Sequence, residues 1–161
     1  MNRPKTYAWI ASLATLGAIL ASVLLPRGGN PYVRGLGVLL LASAAVFIFI
    51  PFMLLRKYGA LEAGESYQET RTVVDHGLYA ITRHPQYLGY MLLAWGFAGL
   101  SQHWGTALLA VVSIVAFYGQ AVKEEQYALT RFRCAYERYL RRVPRFNIVL
   151  GLIRLARDGE R

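Results

Sequence analysis

The sequence predicts an all-α integral membrane protein, with about four transmembrane helices followed by cytoplasmic C-terminal amphipathic helices. Three observations predict it. Of the 161 residues, 55% are hydrophobic and only 17% charged, against roughly 25% charged in an average soluble domain; that leaves too few charges to cover a soluble surface. The charges are also clustered. Stretches of 21, 21 and 39 residues without Asp, Glu, Lys or Arg separate Lys5 from Arg27, Arg34 from Arg56, and Arg83 from Lys123. About 20 apolar residues cross the hydrocarbon core, so the first two gaps each hold one helix and the third holds two. Finally, the basic residues gather on one side of the spans so defined. These features exclude a soluble globular enzyme and a disordered tail, and the lone Cys134 excludes a disulfide framework.

The first span is read from Tyr7 to Leu25, ending at the breaker cluster Pro26-Arg27-Gly28-Gly29-Asn30-Pro31. It is too long for the apolar region of a signal peptide, and no cleavable leader is expected. The second runs from Gly35 to Leu55, with Pro51 as a kink near its end. Ser101-Gln102-His103-Trp104-Gly105 divides the long gap into a third span, Pro85 to Leu100, and a fourth, Trp104 to Val122. All four belong to a single membrane domain covering residues 1–161.

Four spans place both termini on one side. Arg3 and Lys5, then Arg56, Lys57, Arg71 and Arg83, then ten basic residues from Lys123 onward share that side, and only Arg27 and Arg34 lie opposite. The positive-inside rule therefore makes the termini and the middle loop cytoplasmic. A net charge of +9 would suit nucleic acid in a soluble protein. Concentrated directly after the last apolar segment, it suits the anionic face of a membrane, at about 1 kcal/mol per basic residue. The expected partners are membrane lipids, with no nucleic acid.

The middle segment, Arg56 to His84, contains Glu62, Glu65, Glu69 and Asp75 and is too polar to span. In the tail, Phe132, Tyr136, Tyr139, Leu140 and Val143 share one helical face, while Arg131, Arg138, Arg142 and Arg145 fall on another. After Pro144, the residues Ile148, Leu152, Leu155 and Ala156 make a second short amphipathic stretch. Such helices lie along a membrane interface rather than crossing it.

Chemistry is concentrated at the mouth of the third span, in Gly77-Leu78-Tyr79-Ala80-Ile81-Thr82-Arg83-His84-Pro85-Gln86-Tyr87-Leu88-Gly89. Each member has a plain role available: Arg83 as an interfacial anchor, Pro85 as a first-turn helix residue, Tyr87 as a belt aromatic. The same residues bring a helix N-terminus, a histidine, an arginine and tyrosines together, which offers donors for a carboxylate and aromatic faces for a cation. From the residues alone both readings stay open. Glu124-Glu125 stand just past the fourth span, where the helix macrodipole disfavours carboxylates, or lie solvated in a helix that continues. His76 belongs to turn chemistry in Asp75-His76-Gly77, and His103 lies on the opposite face of the membrane. No spacing of His, Cys or carboxylates suggests a metal site.

The pattern Gly77-x-Tyr79-x-x-x-Arg83-His84-Pro85-x-Tyr87-x-Gly89 is followed about 35 residues later by Glu124-Glu125. Then come Phe132-x-x-x-Tyr136-x-x-Tyr139-x-x-x-Val143-Pro144. Together these motifs resemble the isoprenylcysteine carboxyl methyltransferase family, whose plan the phospholipid (phosphatidylethanolamine) N-methyltransferases share. The resemblance covers about Thr72 to Phe146. It implies an integral-membrane methyltransferase that uses S-adenosyl-L-methionine without a Rossmann domain and acts on a lipid or prenylated acceptor. The absence of a Gly-x-Gly-x-x-Gly unit agrees with that. Carried over by position, Thr72, Val73, Val74 and Tyr79 would lie along the adenosine part of the cofactor. His84, Pro85, Gln86 and Tyr87 would line its site, and Glu124 would bind it from the fourth span. His84, Arg83, Glu125 and Gln120 are the candidate catalytic residues, and the acceptor's tail would lie among Tyr90, Trp95 and Phe117.

Two positions depart from the family pattern. Gln120 stands where the prenylcysteine enzymes carry an arginine that contacts the acceptor, and Phe132-Arg133 replaces Phe-Gly. The competing readings are phospholipid N-methylation, a sterol-reductase-like enzyme using NADPH, and a small four-span transporter. The reductase reading is opposed by Tyr90, where an acidic residue would follow Tyr87-Leu88-Gly89. A proton-coupled carrier needs an ionisable residue within a span, and none of the four has a formal charge.

Overall fold

Helices dominate because the backbone of an apolar chain in lipid must satisfy its own hydrogen bonds. The computed structural model describes residues 6–59 and 72–159; Arg3, Lys5, Glu62, Glu65, Glu69 and Arg71, used above, lie outside the described residues. The described helices are α1 (Thr6–Leu24), α2 (Pro31–Tyr58), α3 (Leu78–Ile81), α4 (Pro85–Ser101), α5 (Trp104–Phe132), α6 (Cys134–Arg142) and α7 (Ile148–Gly159). α1, α2 and α5 are long and apolar enough to cross a membrane. α4 has 17 residues, a rise of about 25 Å.

The chain divides into two compact units, Met1–Val46 with Tyr87–Glu124, and Phe47–Gln86 with Glu125–Arg161. In the first unit small residues face inward and large ones outward. Ala11, Ala18, Ala94 and Ala110 are wholly buried, whereas Leu13, Leu39 and Val115 are about two-thirds exposed. That is the packing expected where lipid replaces water, because helices then associate through close backbone approach and polar contacts rather than hydrophobic burial. The closest approach joins α2 and α4: a Cβ on Gly37 would come within 2.9 Å of the Gly96 carbonyl oxygen. Thr15 of α1 and Ser113 of α5 share a buried hydroxyl hydrogen bond of 2.7 Å.

The α1–α2 and α4–α5 connections lie at one end of this unit. Asn30 caps α2 by accepting from the Tyr32 and Val33 N–H groups through its side-chain oxygen, and Pro31 follows at the first helical position. This pairing starts α2 at Pro31, four residues earlier than the Gly35 expected from hydropathy. Gln102 ends α4 at φ 55°. Its amide donates to the Asn30 carbonyl at 2.7 Å and accepts from the Asn30 N–H at 3.0 Å, which fixes the turn.

The second unit is organised by Tyr136, Tyr139 and Val143, buried with Val73, Leu129, Phe132 and Leu140 packed against them. The Tyr139 hydroxyl donates to the Tyr79 carbonyl at 2.7 Å, and burial pushes its pKa well above the usual tyrosine value. α7 packs on α3 through Gly151, where any Cβ would collide with the Ile81 carbonyl.

Of the two readings left open for Glu124 and Glu125, the continuing helix holds: α5 runs ten residues past Val122, to Phe132, so both lie in a helix interior, away from its C-terminal carbonyls. The expectation for the tail is corrected. The apolar face from Phe132 to Val143 is not one helix. The chain breaks at Arg133, with φ 44° and ψ −122°, a conformation that glycine adopts and L side chains strain to reach. Arg133 stands where the family pattern has glycine. α6 then ends at Arg142, which places Arg145 in a connection rather than on a helical face.

Candidate functional site

In the second unit a single carboxylate organises the chemistry. Residues 82–83, just before α4, pair with residues 144–145: the Arg83 N–H donates to the Pro144 carbonyl at 3.0 Å, and the Thr82 hydroxyl to the Arg145 carbonyl at 2.6 Å. These bonds bring Arg83, His84 and Arg145 to one place. Glu125 meets all three. Arg145 donates from Nε to Oε1 at 2.9 Å and from Nη2 to Oε2 at 2.6 Å, a forked pairing of the strongest kind. His84 Nε2 lies 3.2 Å from Oε1, and Arg83 Nε lies 3.3 Å from the same oxygen. Arg83 also donates from Nη1 to the Leu140 carbonyl at 3.1 Å, and the Phe146 ring sits 6.0 Å from that of His84. The Glu125 side chain is only 8% exposed. Among the described residues the Glu125 carboxylate is thus met by two guanidinium groups and an imidazole.

In the first unit a different carboxylate is held differently. The Tyr87 hydroxyl donates to Glu124 Oε1, and the Gln120 amide donates to the same oxygen at 3.3 Å. The other end of the Gln120 amide accepts the Ala8 N–H of α1 at 3.1 Å. Tyr87 and Tyr90 each stack on Phe117, with centroids 5.3 and 5.4 Å apart. Among the described residues both hydrogen-bond partners of Glu124 are neutral. The result is an uncompensated carboxylate beside three aromatic rings, which is the chemistry that binds a cation.

The remaining sequence candidates are placed as follows. Pro85 opens α4 and is buried, and Gln86 is half-buried in the same turn. Thr72 donates its hydroxyl to the Tyr58 carbonyl at 2.9 Å, Val73 packs on the Tyr136–Tyr139 cluster, and Val74 is buried. Tyr79 is buried, with its carbonyl held by Tyr139. Tyr90 and Phe117 stand together, and Trp95 is exposed on α4. Arg145 was missed as a site residue because the sequence pattern put it on a polar helix face. The signal was the Val143-Pro144 break just before it, which ends the helix and frees Arg145 to turn inward. No group of three or more His, Cys, Asp or Glu side chains among the described residues is placed to hold a metal.

The family model for phospholipid methyltransferase matches residues 33–133, more than half of the chain. The chain belongs to the phospholipid methyltransferase family. It is a membrane methyltransferase, and this favours methyl transfer over the reductase and transporter readings. The resemblance to the isoprenylcysteine methyltransferases is borne out by the relatives. A Schizosaccharomyces pombe protein named protein-S-isoprenylcysteine O-methyltransferase is 28% identical over 165 residues, covering 89% of this chain and 67% of that one. Two Arabidopsis thaliana proteins named protein-S-isoprenylcysteine O-methyltransferase A and B are each 29% identical, over 49% and 56% of this chain. The chain spans about half the length of these two, 44% and 51%. No solved structure matches.

Proposed function

We propose that this methyltransferase uses S-adenosyl-L-methionine to methylate the carboxylate of a prenylated cysteine. The observation that carries the donor assignment is the Glu124 cluster, an unneutralised carboxylate among Tyr87, Tyr90 and Phe117. It fits a sulfonium and suits no anionic group. When bound, the donor supplies an electrophilic methyl group: the sulfur–methyl bond breaks as the acceptor oxygen forms its bond to carbon, and a neutral thioether leaves. Glu124 and Tyr87 are the proposed holders of the cation. Arg83, His84 and Arg145, gathered around Glu125, are donors of the kind that orient a carboxylate. Thr72, Val73, Val74, Tyr79, Pro85 and Gln86 remain the proposed contacts for the rest of the donor.

A carboxylate acceptor is already ionised at neutral pH and needs no base. Charge is neutralised as anion meets cation, so a water-poor setting favours the reaction, and the residues must hold reacting atoms close and aligned. An acceptor with a long apolar tail would reach such a setting laterally from the bilayer. We further propose that α4 crosses the membrane as a fourth span in a locally thinned bilayer, with both termini cytoplasmic. Reporter fusions at Gly28, Gln102 and Gly159 check this; an external signal at Gly159 contradicts it.

The acceptor is decided by supplying radiolabelled S-adenosyl-L-methionine with a prenylcysteine, with phosphatidylethanolamine, or with a tail-less cysteine analogue. Label in the prenylcysteine as a base-labile ester is expected. Label in the ethanolamine lipid alone would move the assignment to N-methylation. Equal labelling of the tail-less analogue would contradict lateral entry.

A further inference from the structure

Gln120 is 3% exposed and uses both ends of its amide, one toward α1 and one toward Glu124. A buried amide so engaged has a fixed orientation, because flipping it would set carbonyl against carboxylate and N–H against N–H. The α1 partner is the N–H of Ala8, in the first turn of the helix. α1 also lies wholly outside the segment 33–133 that matches the family.

We propose that Gln120 is a positioning residue for the methyl donor: the first turn of α1 orients Gln120, and Gln120 holds the Glu124 carboxylate toward the cation. This rests on the donor reading above. Being neutral, Gln120 steadies the carboxylate without cancelling its charge, which a cationic side chain there would do. Its role is therefore toward the donor and not the acceptor, and α1 is a working part of the donor site.

The test compares the full chain in lipid nanodiscs with three variants: Gln120→Leu, which removes both bonds; Gln120→Arg, which adds a cation beside Glu124; and Ala8→Pro, which removes the α1 donor and leaves the Gln120 amide in place. Donor and acceptor KM, kcat and the thermal midpoint are measured for each. The expected result is a donor KM raised about tenfold in Gln120→Leu, raised at least as much in Gln120→Arg, and raised less in Ala8→Pro. Acceptor KM stays unchanged in all three. A residue that merely supports the fold would lower the midpoint and kcat without separating the two KM values. A rise in acceptor KM at constant donor KM would overturn the proposal, as would unchanged kinetics in Gln120→Leu. If Gln120→Leu fails to fold, Ala8→Pro decides by the same criterion. Wild-type protein that binds no S-adenosyl-L-methionine in calorimetry would instead overturn the donor reading, which is thus tested apart.

Discussion

Glu124 and Glu125 follow one another in α5, yet each is answered by a different chemistry. Glu125 is met by Arg145, His84 and Arg83; Glu124 is met by a tyrosine hydroxyl and a glutamine amide. Successive residues on a helix point about 100° apart, so the pair reaches different surroundings. The difference teaches what each carboxylate is for. A buried carboxylate among guanidinium groups ties together the segments that carry them and fixes where their donors point. One surrounded by neutral donors keeps its charge for something else. An acidic pair in a sequence is therefore not a duplicated function.

The comparison is broken most forcefully at Glu125. Glu125→Gln removes the charge that Arg83 and Arg145 pair with in a largely buried setting, and breaking such a pair from one side costs about 3–5 kcal/mol. Thermal unfolding in detergent should show a large fall in midpoint and poor recovery of folded protein. Glu124→Gln should behave in the opposite way, with a midpoint near wild type. Its loss is a charge-assisted contact to the donor, about 1.5–3 kcal/mol, read as weaker S-adenosyl-L-methionine binding by calorimetry.

Smaller changes sharpen the picture away from both carboxylates. Tyr139→Phe leaves the Tyr79 carbonyl without its buried donor and should cost about 1 kcal/mol of stability, seen as a modest drop in midpoint with donor affinity retained. Arg133→Gly relieves a side chain held at φ 44° and should stabilise by up to about 1 kcal/mol. An unchanged or lowered midpoint in Arg133→Gly would show that the strain is not there to relieve.

Much of this was legible in the sequence. Charge-free runs located the long helices, because a membrane span is a composition signal that needs no tertiary information. The Arg83-His84-Pro85 and Glu124-Glu125 motifs pointed to the two buried carboxylate clusters, because polar groups at span ends stand out against apolar neighbours. Three things were not legible. The continuation of α5 to Phe132 was only one of two open readings, because Lys123-Glu124-Glu125 ends the apolar run without ending the helix. The break at Arg133 carries no glycine or proline to announce it. The different surroundings of the two glutamates depend on partners far along the chain, Tyr87 directly and Ala8 through Gln120 for one, Arg145 for the other, and hydropathy does not encode such pairings.

The central claim is that Glu124 serves a positive charge. S-adenosyl-L-methionine and S-adenosylhomocysteine differ by the methyl group and the sulfonium charge, so the ratio of their affinities isolates that charge. Calorimetry on wild type and Glu124→Gln, without acceptor, measures it directly. The account predicts that wild type favours the sulfonium ligand and that Glu124→Gln loses about tenfold or more of that preference, with S-adenosylhomocysteine binding little changed. An affinity ratio identical in the two proteins would contradict it.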